Sequence, residues 1–172
     1  LYSTGGYADW AAPTTGFNAG FLLSAGANSQ NYWLVAGRTK VESFDGFTFT
    51  DVSSVAGYAG LGTNDELLWT GCVLGGIPIV NNPQGVPEYW SPADPGQVLQ
   101  PLMFDAVNTW AVQGLSCRVM RAHKNFLFAL NLSEVTEKPD SYRWSTAADI
   151  NGLPYTWDEN DTSGLAGIAS LG

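Results

Sequence analysis

Basic residues are scarce in this chain. Seven Lys plus Arg stand against sixteen Asp plus Glu in 172 residues, for a net charge of −9 with the single His neutral. So few cations cannot neutralise a run of phosphates, which removes sequence-specific nucleic-acid binding from the functions to consider. An acidic wall along a passive DNA channel is compatible with that charge, and so is plain solubility. Metal chemistry is equally poorly supplied: Cys72, Cys117 and His123 do not make a zinc set. Each Cys lies in an apolar run, where it reads as a small buried hydrophobe. The longest apolar candidate, residues 67–80, is broken by Thr70, Gly71, Gly75, Gly76 and Pro78. It falls short of the roughly 18–20 apolar residues of a membrane span. Catalytic signatures are missing too: there is no G-x-S-x-G elbow, H-E-x-x-H or phosphate-binding loop. His123 beside Lys124 reads as a solvated turn residue. Asp158, Glu159 and Asp161 lack the alternation of a calcium loop and read as a solvated acidic segment. No cofactor, metal or enzymatic activity is expected.

Aromatic and turn-forming residues are abundant instead. Hydrophobic residues make up 45%, with seven Trp, seven Tyr and eight Phe, which excludes a disordered tail. Twenty Gly and nine Pro beside only 13% charged residues read as many short strands joined by tight turns. Two stretches also repeat each other. Ile79-Val80-Asn81-Asn82 is followed by Pro87-Glu88-Tyr89-Trp90-Ser91, and Ala129-Leu130-Asn131-Leu132 by Ser141-Tyr142-Arg143-Trp144-Ser145. Matching Asn81 with Asn131 and Trp90 with Trp144 gives spacings of 50 and 54 residues. A period of roughly 40–50 residues made of short strands is that of propeller blades. The expectation is an all-β chain, a β-propeller or propeller-like stack of antiparallel meanders with long inter-strand insertions. Residues 1–30 read as an N-terminal arm or partial blade. Residues 31–172 hold about three meanders, near 31–53, 67–92 and 117–146. A start at Leu1 without Met, and a strand-like close at the other end, read as a piece of a longer polypeptide.

Asp45-Gly46 predicts a type I′ hairpin, because Gly accepts the positive φ that turn demands. Phe47 and Phe49 alternate with Thr48 and Thr50 as in a half-buried strand. Residues 126–130 are apolar on both faces, which predicts a strand covered on both sides, and the repeated strand over residues 67–74 should be buried as well. Between the meanders, residues 93–114 carry Val98, Leu99, Leu102, Met103, Ala106 and Val107 at the spacing of a short helix. Residues 151–163 read as loop. Insertions this long in a regular repeat are where binding or assembly concentrates. Leu102, Met103, Phe104 and Trp110 in the first, and Leu153, Tyr155 and Trp157 in the second, stand beside Asp105, Asp158, Glu159 and Asp161. Apolar residues rimmed by carboxylates suit an interface. The interface candidates are therefore Leu102, Met103, Phe104, Trp110, Tyr155 and Trp157, the competing reading being loops folded back on their own blades.

Two resemblances bear on function. Ala148-Asp149-Ile150-Asn151-Gly152 with Pro154-Tyr155-Thr156-Trp157 is similar to the Asp-box of sialidase propellers. Asn151 and Pro154-Tyr155 break its spacing, and the arginine cluster of those enzymes is not evident among Arg38, Arg118, Arg121 and Arg143. Asp149 therefore reads as a turn residue. The second resemblance rests on Val86-Pro87-Glu88-Tyr89-Trp90, on Arg121-Ala122-His123-Lys124-Asn125-Phe126-Leu127-Phe128-Ala129-Leu130-Asn131-Leu132, on Ser141-Tyr142-Arg143-Trp144-Ser145, and on Leu153-Pro154-Tyr155-Thr156-Trp157-Asp158. Over residues 68–172 the chain resembles bacteriophage virion proteins of the nozzle or stabilization type from short-tailed phages. The resemblance implies a propeller-like, non-enzymatic component of the virion tail, assembled in the host cytoplasm. It implies homo-oligomeric assembly together with adaptor, portal or tail-fibre proteins. A carbohydrate- or receptor-binding propeller module is the second reading and a glycosidase the third. Trp33, Trp69, Trp90, Phe128 and Trp144 are candidates for inter-blade packing; core packing is the first reading of every Trp, with subunit contacts or, for loop Trp110 and Trp157, a sugar-stacking platform as the alternative.

Overall fold

A computed structural model describes residues 21–27, 30–37, 40–54, 58, 69–82, 86–134, 136–148, 152–162 and 165–171. Of the expected arm or partial blade over residues 1–30, residues 1–20 and 28–29 lie outside them, as do Asp149 of the box-like motif and Arg38-Thr39 of the first turn. Among the described residues the chain is all-β, with twelve strands and no helix. None of it forms a helix long and apolar enough to cross a membrane. The strands are β1 (Phe21–Ala27), β2 (Gln30–Ala36), β3 (Val41–Phe44), β4 (Phe49–Asp51), β5 (Thr70–Leu74), β6 (Ile77–Asn81), β7 (Pro87–Tyr89), β8 (Gln100–Pro101), β9 (Ser116–His123), β10 (Phe126–Ser133), β11 (Glu137–Trp144) and β12 (Gly167–Ser170).

They form three four-stranded antiparallel sheets, β1–β4, β5–β8 and β9–β12, each a meander in chain order. The three expected meanders thus each gain a strand. β1 precedes the first, β8 comes from inside the 93–114 insertion, and β12 follows the 151–163 loop. The first strands begin at Phe21, Thr70 and Ser116, 49 and 46 residues apart. Between sheets, the close strand approaches are those of β1 with β5 and β6, and of β9 with β5, β6 and β7. The sheets therefore meet along their first strands and fan apart toward their last.

Polar bonds pin this hub. Thr70 Oγ1 donates to the Arg118 carbonyl (3.2 Å) and accepts from the Met120 amide (3.3 Å), while Asn81 Nδ2 donates to the Cys117 carbonyl (2.8 Å). Apolar side chains fill the gaps between sheets. Leu34, Ala36, Val41, Val52, Tyr58, Trp69, Val80, Trp90 and Leu99 make the core between the first and second sheets. Leu74, Ile79, Cys117, Met120, Leu127, Ala129 and Leu132, with loop residues, make the core between the second and third. Ile79 and Val80 enter different cores, so β6 is buried on both faces. A strand reading Ile-Pro-Ile-Val is what such a place requires.

Four expectations are corrected. β10 is covered on one face only: Leu127, Ala129 and Leu132 are buried, while Leu130 on the opposite face is 37% exposed. Apolarity on both faces fits a sheet at the end of a stack as well as one in its middle. Residues 93–114 form no helix, since Pro95 and Pro101 each lack the amide a helix needs. There Leu102 and Phe104 point inward and Met103 outward, with the period of an extended segment. The Asp45 turn is longer than a type I′ hairpin: Phe44 pairs with Phe49, and Asp45 Oδ1 accepts the amides of Phe47 and Thr48 at 2.8 Å each. Phe47 therefore leaves the strand and is 79% exposed.

The repeat also shifts by one residue. The Trp90 amide donates to the Pro78 carbonyl as the Ser145 amide donates to that of Leu127. Trp90 is thus the counterpart of Ser145, and Tyr89 that of Trp144. Since neighbours on a strand face opposite ways, Trp90 enters the core toward the first sheet, while Trp144 points away from the second.

Candidate functional site

The six interface candidates divide. Leu102, Phe104, Trp110 and Trp157 lie buried in the core between the second and third sheets. Met103 and Tyr155 are 37% and 60% exposed. Fanning explains the burial. Sheets that diverge from a shared hub leave a wedge at their outer strands, and the two insertions fold back to fill it. Trp110 and Trp157 meet edge to face with centroids 4.8 Å apart, and Phe104 packs on Trp110 at 6.0 Å. The Trp157 amide donates to the Phe104 carbonyl (2.8 Å), which joins the two insertions to each other. A sugar-stacking role for Trp110 and Trp157 is closed by the same burial.

Arg143 locks this wedge. Its Nη1 donates to the Trp157 carbonyl (2.9 Å) and to Glu159, Nη2 lies 3.8 Å from Glu134, and the guanidinium sits 5.3 Å above the Phe104 ring. Asp158 Oδ1 accepts from the backbone and side chain of Asn160. The acidic loop is therefore organised by its own hydrogen bonds and Arg143. Among the described residues no group of His, Cys, Asp and Glu could hold a metal ion. Burial pushes the Cys72 and Cys117 thiols up to about 12, so neither is a nucleophile at neutral pH.

Among the described residues, one surface shaped to bind a partner or ligand is the outer face of the third sheet. Cross-strand pairing builds it in rows. Phe126 pairs with His123; Phe128 lies between Arg121 and Trp144; Leu130 lies between Val119 and Tyr142. At the end nearest the β9–β10 turn, His123, Lys124, Phe126, Phe128, Tyr142, Trp144 and Leu165 line an open, mostly apolar groove of about 460 Å³. Its walls touch one another. Trp144 Nε1 donates to the Leu165 carbonyl (2.6 Å), and the indole lies over Gly167, where a β-carbon would collide with it. Tyr142 and Trp144 tilt against each other at 5.8 Å, and His123 meets Phe128 edge-on at 6.4 Å. Arg118, Arg121 and Lys124, three of the seven Lys and Arg, lie on this one hairpin with the single His. Sequence reasoning placed Phe128 and Trp144 in packing between blades and missed the face they form. The signal was present in the double apolarity of residues 126–130, but no pattern says which strand ends a stack. No protein-family model matches the chain, and no curated protein matches it.

Proposed function

We propose that this chain is a rigid structural component of a bacteriophage tail, built as an arc of β-propeller and acting by assembly rather than catalysis. One observation carries the reading: three consecutive four-stranded meanders fan out from neighbouring first strands, each about 46–49 residues on from the last. Successive blades around an axis have this arrangement. Rigidity follows from the packing, because large aromatic side chains fill both inter-sheet gaps. The resemblance of residues 68–172 to nozzle- and stabilization-type virion proteins supplies the tail context. Adaptor, portal or fibre proteins are the expected neighbours. The test is mass spectrometry of purified particles made by the genome encoding the chain, followed by a density map. The chain should be present in stoichiometric amounts, its sheets radiating from a common axis. Particles complete without it overturn the reading.

A carbohydrate-binding module is the second reading, favoured by the pairing of Tyr142 and Trp144 beside Lys124 and His123 in an open groove. Aromatic faces of this kind stack on sugar rings. A glycan array separates the two, provided that any signal is lost in Trp144→Ala.

A further inference from the structure

The indole of Trp144 lies flat on its own sheet. Trp144 pairs with Gly167 across β11 and β12, and three carbons of the indole, Cζ2, Cε2 and Cη2, crowd the place where a β-carbon of Gly167 would stand. Gly167 has no positive φ, so its backbone does not call for glycine. What calls for it is room: with no side chain there, the ring settles face-down on the backbone. The bond from Nε1 to the Leu165 carbonyl (2.6 Å) takes up the only polar group of the indole. The opposite face is left toward the groove, which Trp144 lines together with Tyr142, tilted 35° from it. An aromatic face whose donor is already engaged offers stacking.

Charge is the second feature of the groove. Residues 116–133 contain no Asp or Glu, although the chain carries sixteen, and they hold Arg118, Arg121, Lys124 and His123. Arg118 pairs with Glu137, and Arg121 Nη1 donates to the Met120 carbonyl (2.8 Å), so both are engaged within the fold. Lys124 is exposed and, among the described residues, in no ion pair. It stands on the groove wall at φ +52°, a left-handed conformation that glycine or asparagine adopts more readily than lysine. The turn thus holds a cation over the groove where glycine would fold more easily. At about 460 Å³ the groove falls within the roughly 300–1,000 Å³ of small-ligand clefts, and it shares their make-up of apolar walls with a few polar groups.

We propose that this groove binds an acidic saccharide: a hexuronate unit stacks the apolar face of its ring on Trp144 and places its carboxylate at Lys124, with His123 beside it for a ring hydroxyl. The inference rests on the carbohydrate-binding reading above and holds whether or not the chain belongs to a tail. A neutral sugar would leave Lys124 unused, and an acid without an apolar ring face would leave Trp144 unused. The net charge of −9 repels a polyanion over most of the surface, so attraction is confined to this hairpin and recognition to the few units that the groove can hold.

Titration calorimetry with short oligomers of galacturonate, glucuronate and mannuronate, each beside its neutral methyl ester, tests this. At least one acid should saturate the chain, bind about three- to tenfold tighter than its ester, and weaken as salt is raised. Lys124→Gly should remove that advantage and leave the affinity for the ester unchanged; glycine suits φ +52°, so this variant should melt close to wild type. Trp144→Ala should abolish binding of acid and ester alike. Gly167→Ala, which keeps the tryptophan but lifts it off the backbone, should weaken both. Acid and ester bound equally, or Lys124→Gly binding the acid as wild type does, overturns the inference and leaves the carbohydrate reading standing. No saccharide bound at millimolar concentration, or a purified chain that dimerises through this face until Leu165→Glu is introduced, overturns both.

Discussion

Gly75 and Gly152 meet backbone to backbone across the gap between the second and third sheets. A β-carbon on Gly75 would stand 2.7 Å from the Cα of Gly152, and one on Gly152 would stand 2.8 Å from the Leu74 carbonyl oxygen. Both residues also have positive φ, +58° and +81°. No flexible side chain is there to give way, so the sheets themselves must move. Gly75→Ala and Gly152→Ala should each cost about 1–3 kcal/mol through overpacking, beyond the backbone strain. Gly114→Ala is the control: φ is +67° there, with nothing within 4 Å of the new carbon. Urea midpoints decide it, and equal losses at all three glycines would refute the close-contact argument.

The wedge tryptophans should behave as core. Trp110 and Trp157 are fully buried, and each touches the other insertion. Trp110→Ala or Trp157→Ala should cost about 3–5 kcal/mol, and the Glu substitutions more. Met103→Glu and Tyr155→Glu, at exposed positions, should stay within about 0.5 kcal/mol of wild type. Thermal melts compare the four directly. A Trp110→Glu chain melting at the wild-type temperature would return that residue to the list of interface candidates.

The contrast shows what was legible in the residues. Alternation and turn residues located the meanders, because the period of a strand is written locally. The apolar–carboxylate mixture of the insertions was also visible, but it suits a wedge filler as well as an interface. Only the divergence of the sheets decides between them, and that is a property of three dimensions. The repeat aligned on Trp90 and Trp144 is offset by one residue from the repeat of the backbone. The hydrogen bonds from the Trp90 and Ser145 amides show that the indoles face opposite ways. β8 is two residues long and β12 only four, too short for a periodic signal of their own.

Arg143 should not be replaceable by Lys. Its planar fork reaches the Trp157 carbonyl, Glu159 and Glu134 while lying over Phe104, and an ammonium offers no such geometry. Arg143→Ala should cost about 3 kcal/mol, the lower end for breaking a buried pair, since both carboxylates are partly open to water. Arg143→Lys should recover less than half of that. Full recovery by Lys in a urea titration would show that charge alone holds the wedge.

Glu88 gives the chain a pH dependence of the less common sign. It is buried between the first two sheets, where it accepts the Tyr58 hydroxyl at 2.9 Å. Desolvation raises its pKa above the ordinary 4.5, and the hydrogen bonds from Tyr58, Ser54 and Asn82 offset that only in part. The folded chain therefore holds this proton more tightly than the unfolded one. The contribution of Glu88 to stability is complete below the ordinary carboxylate value, and it is lost as pH rises through the raised folded value. Asp45, Asp51 and Asp105 act oppositely. Their lowered values give stability that is present above the ordinary range and lost as pH falls through the folded value. Glu88→Gln keeps an acceptor for Tyr58 and carries no charge at any pH. Its stability relative to wild type should therefore increase from acid toward neutral pH, levelling off once Glu88 is ionised in both states. Urea unfolding at several pH values measures that difference directly. If the curves of mutant and wild type run parallel across the range, Glu88 does not carry a tightly held proton in the folded chain.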